Sequence, residues 1–204
     1  MRIIAGELGG RRLRAPDGDA TRPTAERVRE ALFSILGPPR PGLQVLDGFA
    51  GAGTLGLEAL SRGAGRCWFI ERAPAAVRCL RGNIAALELG ERAQLRRGDT
   101  IPLLKRWEKV ARDDPAGAPA RAPSALGWVF LDPPYRSDLA AQALTALGSG
   151  RLLTADVRVV VEHDWRNPPD PAYGCLIQTS TRRYGDTALT FYELASTERT
   201  GGSP

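Results

Sequence analysis

Four acidic residues stand where short apolar segments of the sequence end. They are Asp47 after LQVL, Glu71 after RCWFI, Asp99 after AQLRRG and Asp132 after GWVFL. If these segments are parallel strands, their carboxyl ends meet at one edge of a sheet, which is where ligands bind in α/β proteins. Carboxylates gathered there must accept hydrogen bonds or remain hydrated. The pattern therefore predicts a ligand rich in hydroxyl and amino groups at this edge.

A glycine-rich segment follows Asp47 and contains a GxGxxG match over residues 51–56. Such a loop lets backbone approach a ligand, and an acid after the next strand, here Glu71, binds ribose hydroxyls in dinucleotide sites. The glycines alone are a weak signal, because tight turns before helices also use them. Asp47 disfavours a pyrophosphate and suits a cationic, amino-bearing ligand. S-adenosylmethionine fits, with its ribose on Glu71 and its adenine amine on Asp99, although Gly-Asp is also a common turn.

The fourth acid opens the sequence Asp132-Pro133-Pro134-Tyr135. An exocyclic amine on a base is a poor nucleophile because its lone pair is delocalised into the ring. The Asp132 carboxylate and the Pro133 carbonyl could accept its two hydrogens and hold the nitrogen in line with a methyl carbon. Tyr135 offers a face on which the base can stack. The alternative is a Pro-Pro turn that caps a core strand, and the glycine loop upstream favours the catalytic interpretation.

The charge distribution points to a nucleic-acid partner. The chain of 204 residues is long enough for one domain, and it carries a net charge of +5 with a pI near 9.5. Nearly all of its basic residues are arginines, which suits RNA binding but is also typical of a GC-rich genome or a heat-adapted organism. Many lie near the N-terminus, at Arg2, Arg11, Arg12, Arg14, Arg22, Arg27 and Arg29. This end is a candidate RNA-binding surface.

Other residue types argue against several classes of protein. The single histidine, His163, and the three separated cysteines, Cys67, Cys79 and Cys175, offer no zinc-ligand spacing, so we predict no metal site. His163 itself is expected at the rim of the fold. No segment approaches the roughly 18 apolar residues of a membrane span, and the first residues lack the apolar run of a signal peptide. We therefore expect a cytoplasmic protein with no membrane partner.

Strand-like and helical segments alternate along the chain. Helices are predicted over 24–36 (with Thr24 as the N-cap), 55–62, 74–89, 101–110 and 137–147, and strands over 43–47, 66–71, 93–99, 127–132 and 157–164. Segments 174–183 and 187–194 predict a C-terminal hairpin, and residues 1–20 a basic hairpin or arm. We expect a mobile loop over 111–127 and a disordered tail over 195–204. This order predicts an α/β domain with a mostly parallel sheet and helices on both faces.

The sequence resembles the class I S-adenosylmethionine-dependent methyltransferases and, more narrowly, the RsmD family of bacterial 16S rRNA guanine-N2 methyltransferases. The segments that carry the resemblance are RIIAGELGGRRLRAP, TRPTAERVREALFSIL, VLDGFAGAGTLGLEALSRGA, FIERAPAAVRCLRGNI, FLDPPYR and RRYGDTALTFYEL. The resemblance implies a Rossmann-like seven-stranded sheet over 38–194 with a small RNA-engaging extension over 1–37. It also implies 16S rRNA as partner, within a small subunit or an assembly intermediate, and we expect a monomer.

The resemblance also assigns site residues by motif match. Cofactor-binding residues would be Asp47, Phe49, Gly51, Gly53, Thr54, Glu71, Arg72, Asp99 and Thr100. Asp132, Pro133, Pro134 and Tyr135 would be catalytic, and Arg2, Arg11, Arg12, Arg14, Arg22 and Thr24 would contact RNA. The product of the cofactor would be S-adenosylhomocysteine. One departure is Ala52, where the family often has Ser, and the lost hydroxyl bears on cofactor affinity.

Besides an rRNA methyltransferase, two other kinds of function remain open at this point. The Asp-Pro-Pro-Tyr motif also occurs in methyltransferases of DNA adenine and of protein glutamine, so the motif does not identify the target base. A non-catalytic RNA-binding module is a third possibility. The intact glycine loop, Glu71 and Asp132 count against it, because a simple binding protein has no need of them.

Overall fold

The computed structural model describes residues 1–15, 23–113, 122–123, 125–134 and 137–195, except for the side chains of residues 23–25. Five helices lie in this part of the chain: α1 (Pro23–Leu36), α2 (Thr54–Ser61), α3 (Pro74–Ala86), α4 (Thr100–Asp113) and α5 (Leu139–Leu147). The described strands are β1 (Gln44–Asp47), β2 (Arg66–Glu71), β3 (Ala93–Arg97), β4 (Leu126–Leu131), β5 (Leu153–Asp164), β6 (Ala172–Tyr173), β7 (Leu176–Tyr184) and β8 (Thr187–Leu194).

The strands form one sheet in the order β3-β2-β1-β4-β5-β8-β7-β6. The first five strands in this order are parallel, and β8, β7 and β6 continue the sheet in antiparallel fashion. In the register, Asp47 lies opposite Phe69 on one side and Phe130 on the other, and Leu131 lies opposite Val161. The carboxyl ends of β1, β2, β4 and β5 therefore meet at one edge, as a parallel arrangement requires.

Helices cover both faces of the parallel strands, and this explains why these strands read as continuous apolar runs. On one face, Ile3 of the N-terminal segment and Leu32, Leu57 and Leu80 of α1, α2 and α3 pack with strand residues such as Phe130. On the other face, Leu104 and Leu144 of α4 and α5 pack with the strand residues Leu46, Trp68 and Val161. Successive residues of a strand point to opposite faces, so Phe130 and Leu131 serve different halves of the core.

The N-terminal segment is a hairpin that docks on α2. Ile3 donates its N–H to the Arg11 carbonyl at 3.0 Å, and Leu13 donates to the Met1 carbonyl at 2.9 Å. The buried Glu58 carboxylate accepts the N–H groups of Ile4 at 2.7 Å and Ala5 at 3.0 Å. We call residues 1–15 the N-terminal arm. Its attachment through backbone groups fixes its position on the domain.

The predicted α/β architecture with a mostly parallel sheet and a C-terminal hairpin is confirmed, and all seven predicted strands are present. An eighth strand, β6, is added because two residues pair with the start of β7, a run too short to leave a sequence pattern. Within the described residues, no helix is long and apolar enough to cross a membrane.

Several predicted boundaries were wrong. α1 begins at Pro23, which needs no hydrogen-bond partner for its nitrogen, so Thr24 lies inside the first turn rather than at the N-cap. α4 continues to Asp113 and β4 begins at Leu126, so the predicted loop is shorter than 111–127. β5 begins at Leu153 rather than at residue 157. Residues 114–121, 124 and the predicted tail from 196 onward lie outside the described part of the chain.

Candidate active site

The glycine-rich turn between β1 and α2 forms the floor of the candidate site. Gly53 precedes α2 with a φ of 83°, and a Cβ there would lie 2.3 Å from Leu80 Cδ1. A Cβ on Gly56 would lie 2.2 Å from Phe69 Cε1, so α2 can approach β2 closely only with glycine there. Gly51 differs, because a Cβ at this residue would meet nothing within 4 Å. Two of the motif's glycines thus serve packing, and the third faces open space.

Asp47 lies beneath this turn rather than in it. Its side chain is buried, and Oδ2 accepts the Gly56 N–H at 3.0 Å. Burial raises the pKa of Asp47 to about 7 and the nearby Glu71 adds to the rise, while the Gly56 hydrogen bond opposes it. The side chain therefore fixes the first turn of α2 to the end of β1.

Glu71 ties the end of β2 to the glycine turn. Its Oε2 accepts the Gly51 N–H at 2.8 Å, and its Oε1 accepts the Ala73 N–H at 2.7 Å. Each carboxylate oxygen can accept a further hydrogen bond, since an ionised carboxylate has about four acceptor positions. Glu71 is thus held in place by backbone while it keeps acceptor capacity for a ligand.

A cavity of about 400 Å³ opens at this edge of the sheet. It is lined by Phe49, Gly51, Ile70, Glu71, Arg72, Gly98, Asp99, Thr100, Ile101, Asp132, Pro133, Pro134 and Leu139. The lining combines apolar surface with hydrogen-bond acceptors and one guanidinium. Such a lining is typical of a site for a small ligand that has both polar and apolar parts. Six of the nine predicted cofactor-binding residues meet here with the catalytic motif. Asp47, Gly53 and Thr54 do not line it.

The far wall of the cavity is built by the start of α4 and by the residue before it. Asp99 is exposed and forms an ion pair with Arg72 at 3.3 Å. Thr100 is buried and its hydroxyl donates to the Gly48 carbonyl. This hydrogen bond joins the glycine turn to α4, so the two walls of the cavity are fixed relative to each other.

Asp132 follows the last residue of β4 and lines the same cavity. The residue is exposed to the cavity. Desolvation by the surrounding protein raises the pKa of Asp132 well above its ordinary value, and Glu162 and Asp47 raise it further. Pro133 is buried and Pro134 is exposed. Tyr135, the fourth predicted catalytic residue, lies outside the described residues.

Glu162 is a residue of this edge that sequence reasoning did not single out. Leu131 of β4 pairs with Val161 of β5, and Asp132 and Glu162 are the residues that follow this pair. The two carboxylates are therefore neighbours across adjacent strands. The strand-end pattern that identified the other four acids could not show this, because β5 continues for two residues beyond Glu162.

His163 is not at the rim, as predicted, but buried. Its Nδ1 is 2.8 Å from the Asp164 carbonyl and its Nε2 is 2.8 Å from the Thr190 hydroxyl, so both nitrogens are engaged within the sheet. Among the residues that the structure describes, no group of three or more His, Cys, Asp or Glu side chains could hold a metal ion.

The N-terminal arginines predicted to contact RNA are exposed along the N-terminal arm at residues 2, 11, 12 and 14. Arg2 lies 3.6 Å from Glu26, and Arg11 donates to the Ala86 carbonyl at 2.7 Å. Arg22 lies outside the described residues, and so does the side chain of Thr24. These arginines lie on the docked arm. Arg29, which was predicted to belong to the same surface, is instead buried in α1, and its guanidinium donates to the Arg2 carbonyl at 2.7 Å.

Asn83 joins this arm to the glycine turn. Its Oδ1 accepts the Arg14 N–H at 2.8 Å, and its Nδ2 donates to the carbonyls of Arg14 and Ala52, each at 3.0 Å. The side chain is buried. A displacement of the arm at Arg14 would therefore be transmitted through Asn83 to Ala52, inside the glycine turn.

Comparison with known proteins identifies the family. A family model described as conserved hypothetical protein 95 matches residues 1–193. Ribosomal RNA small subunit methyltransferase D of Escherichia coli is 36% identical over 174 residues, which cover 84% of this chain and 80% of that protein. The chain belongs to the RsmD family. The resemblance found in the sequence is confirmed.

Further similarities extend over nearly the whole RsmD-family chain. The Bacillus subtilis protein YlbH is 36% identical over 193 residues, which cover 95% of this chain and 98% of YlbH. The solved structure of Escherichia coli yhhF has a TM-score of 0.78 at 32% identity and covers 97% of this chain and 99% of that one. Both similarities cover nearly the whole chain, and the solved structure shares its fold.

Proposed function

We propose that this protein transfers a methyl group from S-adenosylmethionine to the exocyclic N2 amine of a guanine in 16S rRNA. The observation that carries the proposal is the single cavity that contains both Glu71 and the Asp132-Pro133-Pro134 segment. A single ligand in this cavity can contact both Glu71, whose oxygens suit ribose hydroxyls, and Asp132, whose carboxylate suits an amine. The name of the Escherichia coli relative, a methyltransferase of small-subunit ribosomal RNA, supports the RNA substrate.

The residues of the cavity fit S-adenosylmethionine. Glu71 would accept hydrogen bonds from the ribose hydroxyls, and the Arg72-Asp99 pair would border the adenine amine. Phe49, Ile101 and Leu139 supply apolar surface for the adenine ring. Open space beside Gly51 leaves room for the amino acid group next to the backbone. When bound, the cofactor supplies the electrophilic methyl carbon, and S-adenosylhomocysteine is its product.

Asp132 and Pro133 would orient the target amine. The Asp132 carboxylate accepts one hydrogen of the amine and the Pro133 carbonyl accepts the other, which directs the nitrogen lone pair toward the cavity. The two proline rings restrict the backbone that carries both acceptors. After methyl transfer the nitrogen is positively charged until it loses a proton. Asp132, whose pKa is raised, is suited to accept that proton. Tyr135 stays the predicted stacking partner of the base.

The N-terminal arm and α1 would engage the RNA. Arg12 and Arg14 are exposed beside the segment that Asn83 connects to the glycine turn, so phosphates bound there lie close to the cofactor cavity. In this proposal residues 1–37 bind rRNA and residues 38–194 carry out catalysis. The protein would act as a monomer on a small subunit or an assembly intermediate.

The test is label transfer from methyl-labelled S-adenosylmethionine into undermethylated small subunits, naked 16S rRNA, DNA and a protein with an accessible glutamine. Nucleosides from labelled RNA are then identified by mass spectrometry. We expect N2-methylguanosine from at least one rRNA sample. Absence of label from every rRNA sample would contradict the proposal, and label in adenine or in glutamine would favour the other amine methyltransferases instead.

A further inference from the structure

A second cavity lies against the same proline pair. It has a volume of about 240 Å³ and is lined by Pro133 and Pro134, by the end of β5 and by residues of α5 and the segment before β6. Because Pro133 and Pro134 line both cavities, the second lies next to the first and next to Asp132. Its size suits one planar base rather than a whole nucleotide. It is the candidate position for the target base, with the reacting amine at the shared wall.

One acid of the second cavity, Glu162, lies beside Asp132 in the register of the sheet. It lines the second cavity, and it follows Val161, which pairs with Leu131, the residue before Asp132. Side chains at neighbouring positions of adjacent parallel strands point to the same face of the sheet. Glu162 and Asp132 are therefore two adjacent acceptors, one in each cavity.

The charge of the second cavity favours hydrogen-bond donors over phosphate. Among the described residues that line it, Asp138, Glu162, Asp164 and Asp170 are acidic, and none is a lysine or an arginine. The first cavity, in contrast, contains Arg72. A phosphate is repelled by such a lining, whereas the amine-bearing edge of a neutral base finds acceptors there.

Two adjacent acceptors distinguish guanine from the other bases. The Watson–Crick edge of guanine presents two neighbouring donors, N1–H and the N2 amine. Adenine and cytosine place a bare ring nitrogen, which is an acceptor, beside their amine, and uracil has no exocyclic amine. A carboxylate that faces the ring nitrogen therefore attracts guanine and repels adenine and cytosine, and buried mismatches of this kind are strongly rejected.

We propose that Glu162 selects guanine by accepting its N1–H while Asp132 accepts a hydrogen of the neighbouring N2 amine. This inference rests on the proposed function, and it supplies the base identity that the Asp-Pro-Pro-Tyr motif does not carry. Glu162 acts on the base and not on the methyl carbon, so it determines specificity. His163, the next residue, takes no part, because both of its nitrogens are engaged inside the sheet.

The test uses 2,6-diaminopurine, which keeps the N2 amine of guanine but has a bare N1. The guanosine that is methylated in the preceding experiment is mapped, replaced by 2,6-diaminopurine, and presented in the same rRNA or subunit. We expect the unchanged protein to methylate guanine about tenfold to a hundredfold more efficiently than 2,6-diaminopurine. The Glu162→Gln variant, whose amide can donate to N1, should lose activity on guanine and gain it on 2,6-diaminopurine, so that the preference falls by a similar factor.

The matched control is Glu91→Gln, which makes the same chemical change at an exposed acid before β3 that lines neither cavity. It should leave the preference for guanine unchanged. If Glu162→Gln loses activity equally on both bases, or if Glu91→Gln shows the same change of preference, the inference is overturned. Binding of S-adenosylhomocysteine and the melting temperature of Glu162→Gln report whether the variant is folded. Failure of this inference can be distinguished from failure of the proposed function, because in the second case the unchanged protein would label no rRNA at all.

Discussion

The carboxylates at the active edge of the sheet fall into two groups with different surroundings. On the side of β1 and β2, Asp47 and Glu71 accept backbone N–H groups from Gly56, Gly51 and Ala73 at 2.7–3.0 Å. On the side of β4 and β5, Asp132 lies beside Glu162, and no hydrogen bond to its carboxylate comes from any residue that the structure describes. The first group is held by backbone hydrogen bonds, whereas Asp132 borders the cavity beside a second carboxylate.

This difference separates two tasks at one edge. Backbone hydrogen bonds fix the acceptors proposed to hold the cofactor before any ligand arrives, which reduces the ordering that binding requires. Desolvation raises the pKa of Asp132, and the charges of Glu162 and Asp47 raise it further, so an amine that donates to this carboxylate would relieve part of this cost. Changes in the two groups should therefore have different consequences for binding, catalysis and stability.

The largest expected effect is on catalysis, from Asp132→Ala. Loss of the acceptor for the amine should lower methyl transfer at least about a hundredfold. Affinity for S-adenosylhomocysteine, measured by calorimetry, should change little, because the acceptors for the ribose remain. Equal losses of transfer and of cofactor affinity would remove the distinction between the two groups of carboxylates.

Asp47→Asn should raise stability above neutral pH. Because burial raises the pKa of Asp47 from 3.8 to about 7, the folded protein binds this proton more tightly than the unfolded chain. The carboxylate therefore opposes folding increasingly as pH rises from about 4 to about 7, and constantly above that. Asparagine removes this penalty and still accepts the Gly56 N–H. We expect a gain on the order of a few kcal/mol at pH 8.

Urea unfolding at two pH values checks the Asp47 prediction. The gain should shrink toward zero at about pH 3, below both pKa values, where the carboxyl is protonated in the folded and in the unfolded protein. A gain of the same size at both pH values would point to a cause other than titration. A loss at pH 8 would show that the Gly56 hydrogen bond outweighs the desolvation of Asp47.

Glu71→Gln should weaken cofactor binding by about tenfold, because the amide nitrogen would face the N–H of Gly51 or Ala73, and a donor without an acceptor costs about 1–3 kcal/mol. Calorimetric titration with S-adenosylhomocysteine measures the loss. Glu91→Gln, at an exposed acid in the turn before β3, is the matched control and should bind normally. Unchanged affinity in Glu71→Gln would refute its assignment to the cofactor.

The smallest expected effect is on RNA affinity, from Arg12→Glu. Binding of rRNA should weaken severalfold. The slope of log K against the logarithm of the salt concentration should become less steep by the amount that about one or two phosphate contacts contribute. Arg66→Glu is the control, because Arg66 is exposed at the start of β2, at the opposite edge of the sheet. The same change in slope for both variants would mean that net charge alone, and not the N-terminal arm, governs binding.

The sequence predicted the residues that local patterns reveal. An acid at the end of an apolar run marked Asp47, Glu71 and Asp132, and strand–helix alternation predicted the sheet that brings them to one edge. Glu162 was missed because its importance arises from the register of β4 against β5, which no local pattern encodes. Glu58 and Asn83 read as polar positions of ordinary helices, but both are buried and both bind backbone groups of the N-terminal arm.

The docking of the N-terminal arm also has a consequence for the order of folding. The arm's partners lie far along the chain: 54 residues separate Ile4 from Glu58, and 85 separate Glu7 from Arg92. Contacts between such distant residues form late, because closing a long loop costs entropy before the contact repays it. During synthesis, the arginines of this segment are therefore made well before the surface that will hold them. The basic arm is expected to pass through an undocked stage whenever the protein is made or refolded.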